Sequence, residues 1–273
     1  MKSIDAFHEF EREGWGDAGV CGEYDQHFGA VTSQSVRALL DAAGVATGSR
    51  VLDVCCGAGY ACAGALQRGA EAVGVDFSPA QIELARERVP GARFEVGDGC
   101  ALPFSDASFD GVVNAIGVPH LPDPDLGLRE ALRVLRRGGR FAFTVYDVPE
   151  RVLGFGPIVP TVQAHGNPDF GVPPGPDFFA FSDPAQSRPR LEAAGFADVV
   201  FATVPQVWRV RTVDEALAAV AEGTVRARAA LRAQTPAAMV RIRAALEQIW
   251  APYRREFGYE LPMPVVLASG AKP

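Results

Sequence analysis

From residue 50 to residue 146, short apolar runs alternate with stretches whose apolar residues recur every three or four positions. The runs Val51–Val54, Ala72–Asp76, Arg93–Val96, Phe109–Ile116 and Arg140–Tyr146 predict five strands, several of them apolar throughout, as buried parallel strands are. Between them lie predicted helices from Ala61 to Gln67, from Ser78 to Val89 and from Asp123 onward. Ser78 and Asp123 are good cap residues, and each is followed by a proline suited to the first helical position. The third helix is expected to end on the basic, glycine-stopped run Arg136-Arg137-Gly138-Gly139. Alternation at this pace predicts an α/β protein with a parallel sheet covered on both faces.

Outside that stretch the rhythm changes. Thr32 to Ala43 predicts a helix stopped by Gly44, and the residues before it are acidic and aromatic. Residues 151–181 hold six prolines and five glycines along with Phe155, Phe170, Phe178, Phe179 and Phe181. So long an irregular connection implies a task, and it reads as a substrate lid. Asp183 to Ala194 predicts a helix closed by Gly195, and Phe196 to Val204 a strand. Thr212 and Glu215 form a capping-box pattern ahead of one or two helices that reach Gln234. Thr235-Pro236 opens a last helix whose Ile242, Leu246, Ile249, Trp250 and Tyr253 fall at three- and four-residue steps, and Val265 to Ser269 predicts a final strand. The chain thus divides into an N-terminal helical segment (1–44), a core (45–147), the lid (148–181) and an end of sheet (182–273) with a helical cap inserted at about 205–261.

Composition narrows the class. With 273 residues, 48% hydrophobic and 22% charged, the chain can bury a large core as a soluble globular protein. A net charge of −7 argues against nucleic acid as the main partner, which needs a basic face. No apolar run reaches the length of a membrane span, and residues 1–14 carry no signal-peptide core. Cys21, Cys55, Cys56, Cys62 and Cys100 are odd in number and lack paired metal-ligand spacing. Reduced thiols in a cytoplasmic protein, and no metal, are the expectation.

The candidate chemistry centres on Asp53-Val54-Cys55-Cys56-Gly57-Ala58-Gly59, a glycine loop between a strand and a helix. Gly57 and Gly59 lack a Cβ, so a ligand can approach the main chain there. Asp53 sits at the carboxyl end of its strand, where open parallel sheets bind ligands. Asp76 ends the second strand, Asp98 follows the third in Gly97-Asp98-Gly99-Cys100, and Phe109-Asp110 with Asn114 marks the fourth. In this order, with the run from His120 to Gly139, the motifs resemble the class I S-adenosylmethionine-dependent methyltransferases, in particular the methyltransferase type 11 group similar to ubiquinone and menaquinone C-methyltransferases. The resemblance covers residues 45–146 and continues more loosely through Phe181-Ser182-Asp183-Pro184 and Glu192-Ala193-Ala194-Gly195-Phe196. Cys55 departs from the pattern, standing where a glycine is frequent.

The resemblance implies a Rossmann-like, seven-stranded, mostly parallel sheet, the class I methyltransferase fold, with an antiparallel last strand, to which the residues add the inserted α-helical and aromatic cap. It implies S-adenosyl-L-methionine as cofactor, S-adenosyl-L-homocysteine as product, and direct displacement onto a small molecule, which the aromatic residues of the cap favour as hydrophobic or aromatic. One carboxylate can accept from both ribose hydroxyls, a role that falls to Asp76. Asp98 can accept from the adenine amino group, with Gly99 beside it and Phe77 and Cys100 as apolar covers. Asp53 and the main chain of Cys55, Gly57 and Gly59 meet the charged methionine end. Asn114 and Tyr24 complete the cofactor set, Tyr24 from an N-terminal segment of the kind that covers the cofactor in similar enzymes, or else as a packing residue only. His120 is the candidate general base, or a residue that orients its loop. Phe155, His165, Phe178, Phe179 and Trp208 are candidate substrate contacts, or anchors that pin loops to the core.

Two other functions stay open. A protein of this fold can bind the cofactor or another ligand without methyl transfer, as a cyclase or binding module, and its cofactor residues would look the same. A nicotinamide-dependent oxidoreductase would need a pyrophosphate loop, which the Cys55-Cys56 segment does not supply. The acceptor atom is open, and the oligomer is a monomer or a homodimer. Arg226, Arg228, Arg232, Arg241 and Arg243 are expected on a solvated helix face.

Overall fold

The computed structural model describes residues 2–273. Its elements begin with α1 (Lys2–Gly16), α2 (Ala18–Thr32) and α3 (Val36–Ala42). The alternating stretch forms β1 (Arg50–Val54), α4 (Tyr60–Gln67), β2 (Glu71–Asp76), α5 (Pro79–Arg88), β3 (Arg93–Val96), β4 (Phe109–Ala115), α6 (Pro124–Val134) and β5 (Leu135–Tyr146). Then come α7 (Ile158–His165), α8 (Pro184–Ala194), β6 (Ala197–Val204), β7 (Val207–Val210), α9 (Val213–Gly223), α10 (Arg226–Arg232) and α11 (Pro236–Trp250). β8 (Arg254–Arg255), β9 (Gly258–Pro262) and β10 (Val265–Ala271) complete the order. These elements form two compact units. A sheet unit comprises Thr32–Tyr146, Asp177–Val204 and Val265–Pro273; a helical unit comprises the residues up to Val31, Asp147–Pro176 and Pro205–Pro264.

Seven strands in the order β3-β2-β1-β4-β5-β10-β6 carry the sheet unit. β1 to β5 pair in parallel, and β10 lies antiparallel between β5 and β6, the topology that the family resemblance implies. Strand order reverses between β1 and β4, which makes their carboxyl ends the switch point where such sheets bind ligands. Alternation along β1 divides its side chains between two layers. Leu52 and Val54 join Phe143, Leu128 of α6 and Leu191 of α8, whereas Val51 joins Leu39 of α3, Ala65 of α4 and Ile82 of α5. The predicted caps form: Ser78 Oγ accepts from Gln81 N at 3.3 Å, and Asp123 Oδ1 accepts from Leu126 N at 2.9 Å. Each such cap contributes about 1 kcal/mol.

The end of α6 differs from expectation. The helix stops at Val134, and Arg136 to Gly139 belong to β5. Gly138 is left-handed (φ +80), and a Cβ on Gly139 would lie 2.7 Å from the Asp110 carbonyl oxygen. Gly138 N donates to Lys272 O at 2.8 Å, and Lys272 N donates to Gly139 O at 2.9 Å. The two glycines therefore permit close main-chain pairing just past β10 and do not stop a helix. Arg136 pairs with Asp110 at 2.6 Å.

In the helical unit the amphipathic segments form α7, α9, α10 and α11, and α7 lies inside the irregular 151–181 stretch. Residues 205–261, expected to be helical, also contribute a three-stranded ribbon in the order β7-β9-β8. Trp208 and Val210 of β7 and Tyr259 and Leu261 of β9 are buried, while Arg209 and Glu260 pair on the outer face at 2.9 Å. Strands of four and five residues leave too short a period-two signal beside three helices. Trp250, at the end of α11, is wholly buried and its Nε1 donates to Leu153 O at 2.8 Å. Of the arginines expected on a solvated face, Arg232, Arg241 and Arg243 are exposed, while Arg226 and Arg228 are half-buried, and four of the five form ion pairs. Arg226 pairs with Glu11 at 2.8 Å over the Phe7 ring, Arg228 with Asp17 at 4.0 Å, Arg232 with Glu222 at 3.8 Å and Arg243 with Asp214. No helix among the described residues is long and apolar enough to cross a membrane.

Candidate functional site

β1 ends at the switch point, and its register sets Asp53 beside Gly74 of β2 and Val113 of β4. The loop that follows turns on three left-handed residues, Cys55 (φ +57), Gly57 (φ +50) and Gly59 (φ +83). A Cβ on Gly57 would meet nothing nearer than Gln81 Oε1 at 3.7 Å, so the main chain there is open to a ligand. Gly59 starts α4, and a Cβ on it would press on Phe94 Cζ at 3.1 Å. Cys55 adopts a left-handed conformation without glycine's freedom, at a cost of about 1 kcal/mol.

Asp76 ties this loop to α5. Its Oδ2 accepts from Gly57 N and its Oδ1 from Ser78 N, both at 3.0 Å, and each oxygen keeps capacity for a further donor. Asp53 is 2% exposed. Cys62 Sγ lies 3.7 Å from its Oδ2, and its Oδ1 has no partner among the described residues. Burial pushes the Asp53 carboxyl up to about 7, opposed by the Cys62 hydrogen bond and helped by the charge of Asp76. Burial also raises Asp76, against the N–H groups of Ser78 and Gly57 and the charge of His120. The thiols of Cys55, Cys56 and Cys62 are pushed up by burial first and by nearby carboxylates second, so they stay protonated and are not nucleophiles. A buried carboxyl with one unpartnered oxygen, beside a second acid, is an environment that a cationic ligand would relieve.

Asp98 is exposed in the turn after β3, where its Oδ1 accepts from Cys100 N at 2.8 Å. Cys100 is buried, and its Sγ donates to Asp123 O at 3.2 Å. A Cβ on Gly99 would lie 3.0 Å from Val54 Cγ1 and 3.8 Å from Cys55 Sγ, so this turn abuts the β1 loop. Phe77, half-buried, follows Asp76 directly. Asn114 is buried, and its Oδ1 accepts from Gly117 N at 2.7 Å and Val118 N at 3.0 Å, organising the segment that carries His120. Within that segment Ile116 has φ +64, a rare conformation for a β-branched residue. His120 is half-buried, and its ring meets Phe178 edge-on at 5.5 Å, with Phe179 a further 5.3 Å away. The sheet unit therefore gathers Asp53, Cys55, Asp76, Asn114, His120 and the 98–100 turn into one cluster, with Phe178 and Phe179 against His120.

Other candidate residues lie in the helical unit. Tyr24, Phe155 and Trp208 converge on Phe28, at 5.4, 5.0 and 5.0 Å. His165 stands apart, exposed at the end of α7, where its carbonyl accepts from Arg241 at 2.8 Å. Cys62 and Ile116 escape the sequence pattern. Nothing in the residues from β1 to α4 marks the thiol that meets Asp53, and a left-handed isoleucine has no sequence signature. Among the described residues no cluster of His, Cys, Asp and Glu could hold a metal ion.

The seven-stranded order and the acid-lined loop at its switch point define a Rossmann-like methyltransferase fold. A family model for the methyltransferase domain matches residues 52–143. A demethylmenaquinone methyltransferase of Beutenbergia cavernae is 39% identical over 124 residues, 44% of this chain and 52% of that one. Another, from Mycobacterium sp. (strain KMS), is 33% identical over 169 residues, 58% of this chain and 72% of that one. The chain spans about half the length of the first of these curated relatives. Haemonchus contortus phosphoethanolamine N-methyltransferase 2, solved with phosphomonomethylethanolamine and S-adenosylhomocysteine, shares the fold with a TM-score of 0.61 and 19% identity, over 98% of this chain and 60% of that one. The chain belongs to the class I S-adenosylmethionine-dependent methyltransferase family.

Proposed function

We propose that this protein transfers a methyl group from S-adenosyl-L-methionine to a small hydrophobic or aromatic molecule by direct displacement. The carrying observation is the acid pair at the switch point. Asp53 has an unpartnered buried oxygen, Asp76 can accept two further donors, and the main chain beside them is open at Gly57. A ligand with an ammonium group and a vicinal diol suits that set. In this reading Asp53 takes the ammonium and Asp76 the ribose hydroxyls. Asp98, Gly99, Cys100 and Phe77 take the adenine, and the carboxylate lies along the Cys55–Gly59 loop toward the N-terminus of α4.

When bound, S-adenosylmethionine supplies an electrophilic methyl group on a sulfonium. The protein's part is to align the acceptor and keep water away. His120, on the segment organised by Asn114, takes the proton of an acceptor that arrives protonated. Phe178 and Phe179 offer apolar rings beside it. The demethylmenaquinone methyltransferases among the relatives support a quinone- or phenol-like acceptor, and the S-adenosylhomocysteine bound in the structural neighbour supports the cofactor. A cytoplasmic monomer or homodimer belongs to the same proposal.

Incubation with methyl-labelled cofactor and a panel of phenols, quinones and amines, followed by mass spectrometry, tests it. A methylated product formed together with S-adenosylhomocysteine, and lost in Asp76→Asn, is the expected result. Saturable cofactor binding with no methylated product would favour a cyclase or binding module. Tight NAD binding without S-adenosylmethionine binding would reject methyl transfer in favour of an oxidoreductase.

A further inference from the structure

The helical unit contains a buried polar side chain that its own fold leaves unused. Gln206 is 2% exposed, and neither its Nε2 nor its Oε1 has a hydrogen-bond partner among the described residues. Its main-chain carbonyl is satisfied, accepting from Met263 N at 2.8 Å and extending the β7–β9 ladder by one residue. Residues two apart on a strand share a face, so Gln206 stands with Trp208 and Val210 on the buried side of the ribbon, opposite the wholly buried Met263. Leu261 is wholly buried there as well. Trp208 packs against Phe28 and Phe155 at 5.0 and 5.9 Å. Phe155 and Tyr24 are only half-buried, so the ring cluster reaches the surface. At Gly154 the chain closes on the same group without a side chain: a Cβ there would lie 2.9 Å from Trp208 Cε3 and closer still to Met263 Sδ.

Burying an amide with both ends unpaired is costly and rare in folded proteins, and a methionine or leucine would fill this position without that cost. We infer that Gln206 is a recognition residue whose amide hydrogen-bonds an oxygen substituent on the ring of an aromatic ligand held by Phe28, Phe155 and Trp208. The amide presents both a donor and an acceptor, so it serves a hydroxyl or a carbonyl oxygen equally. The ligand's identity as methyl acceptor rests on the proposed function; its binding does not, and is measured without cofactor. A site built around such an amide discriminates against a ligand that lacks the oxygen, because that ligand leaves the amide unpaired.

Two probes of one shape, 1-naphthol and naphthalene, test this by equilibrium dialysis against the full chain and its Gln206→Met variant. The wild type binds 1-naphthol at least about tenfold more tightly. Q206M, with a side chain of similar length, loses that preference and melts at or above the wild-type temperature. Equal wild-type affinity for the two probes overturns the inference whatever the variant does. So does a Q206M variant that keeps the preference, or one that melts well below the wild type, since the amide would then be satisfied within the fold. A negative result leaves cofactor binding and methyl transfer unaffected, and failure of those leaves the naphthol preference standing.

Discussion

Asp53→Asn should change how stability depends on pH, and the size of the effect follows from burial. In the folded protein the Asp53 carboxyl is raised from its ordinary 3.8 to about 7. The folded state therefore keeps a proton that the unfolded chain has already lost. Stability from this group is fully present below the unfolded value, declines as pH rises toward 7, and is flat above it. A gap of about three pH units corresponds to about 4 kcal/mol between acidic and alkaline conditions. An asparagine at this position does not titrate, so the variant should gain on the wild type by about that amount between roughly pH 4 and pH 8. At low pH the two should be similar, because the wild-type side chain is then neutral as well. All three tryptophans, Trp15, Trp208 and Trp250, lie in the helical unit, so tryptophan fluorescence reports first on that unit. Hydrogen exchange of peptides covering β1, taken with urea titrations across the pH range, reads the relevant unit. Parallel pH profiles for wild type and variant would refute the idea that Asp53 is a costly buried acid.

Three other substitutions probe the same site. Gly59→Ala puts a Cβ at a left-handed position that already crowds Phe94, and should cost about 1–2 kcal/mol, seen as a melting temperature lower by about 2–4 °C. Cys55→Gly should relieve about 1 kcal/mol of backbone strain and leave cofactor affinity intact; a loss of affinity would mean that the thiol itself matters. His120→Gln should lower kcat by about 10²–10⁴ for acceptors that arrive protonated, with unchanged cofactor affinity. An unchanged kcat for a phenol would remove His120 from the proton-transfer role.

The sheet was legible because each strand–helix unit announces itself locally. Val51 to Val54 is an unbroken apolar run but for Asp53, Gly57 and Gly59 mark the turn, and Ser78-Pro79 starts the next helix. Order and spacing were enough to bring Asp53, Asp76 and the 98–100 turn together, because a parallel sheet sets the ends of its strands side by side. Where local signals are ambiguous, distant contacts decide. A basic run followed by two glycines can stop a helix or enter a sheet, and pairing of Gly138 and Gly139 with Lys272 selects the sheet. The β7–β9 ribbon has the right alternation in Trp208, Arg209 and Val210, but too few residues to outweigh its helical surroundings. Burial of Asp53 beside Cys62, and of Gln206 opposite Met263, depends on partners that no local pattern names.

Calorimetric titration of S-adenosylhomocysteine into the wild type and Asp76→Asn goes most directly to the central claim that the switch-point acids hold an adenosyl cofactor. The expected result is saturable one-to-one binding to the wild type and at least about tenfold weaker binding to a folded Asp76→Asn, since a carboxylate shared by two hydroxyls is worth more than one ordinary hydrogen bond. No binding to the wild type, or undiminished affinity in the variant, would contradict it.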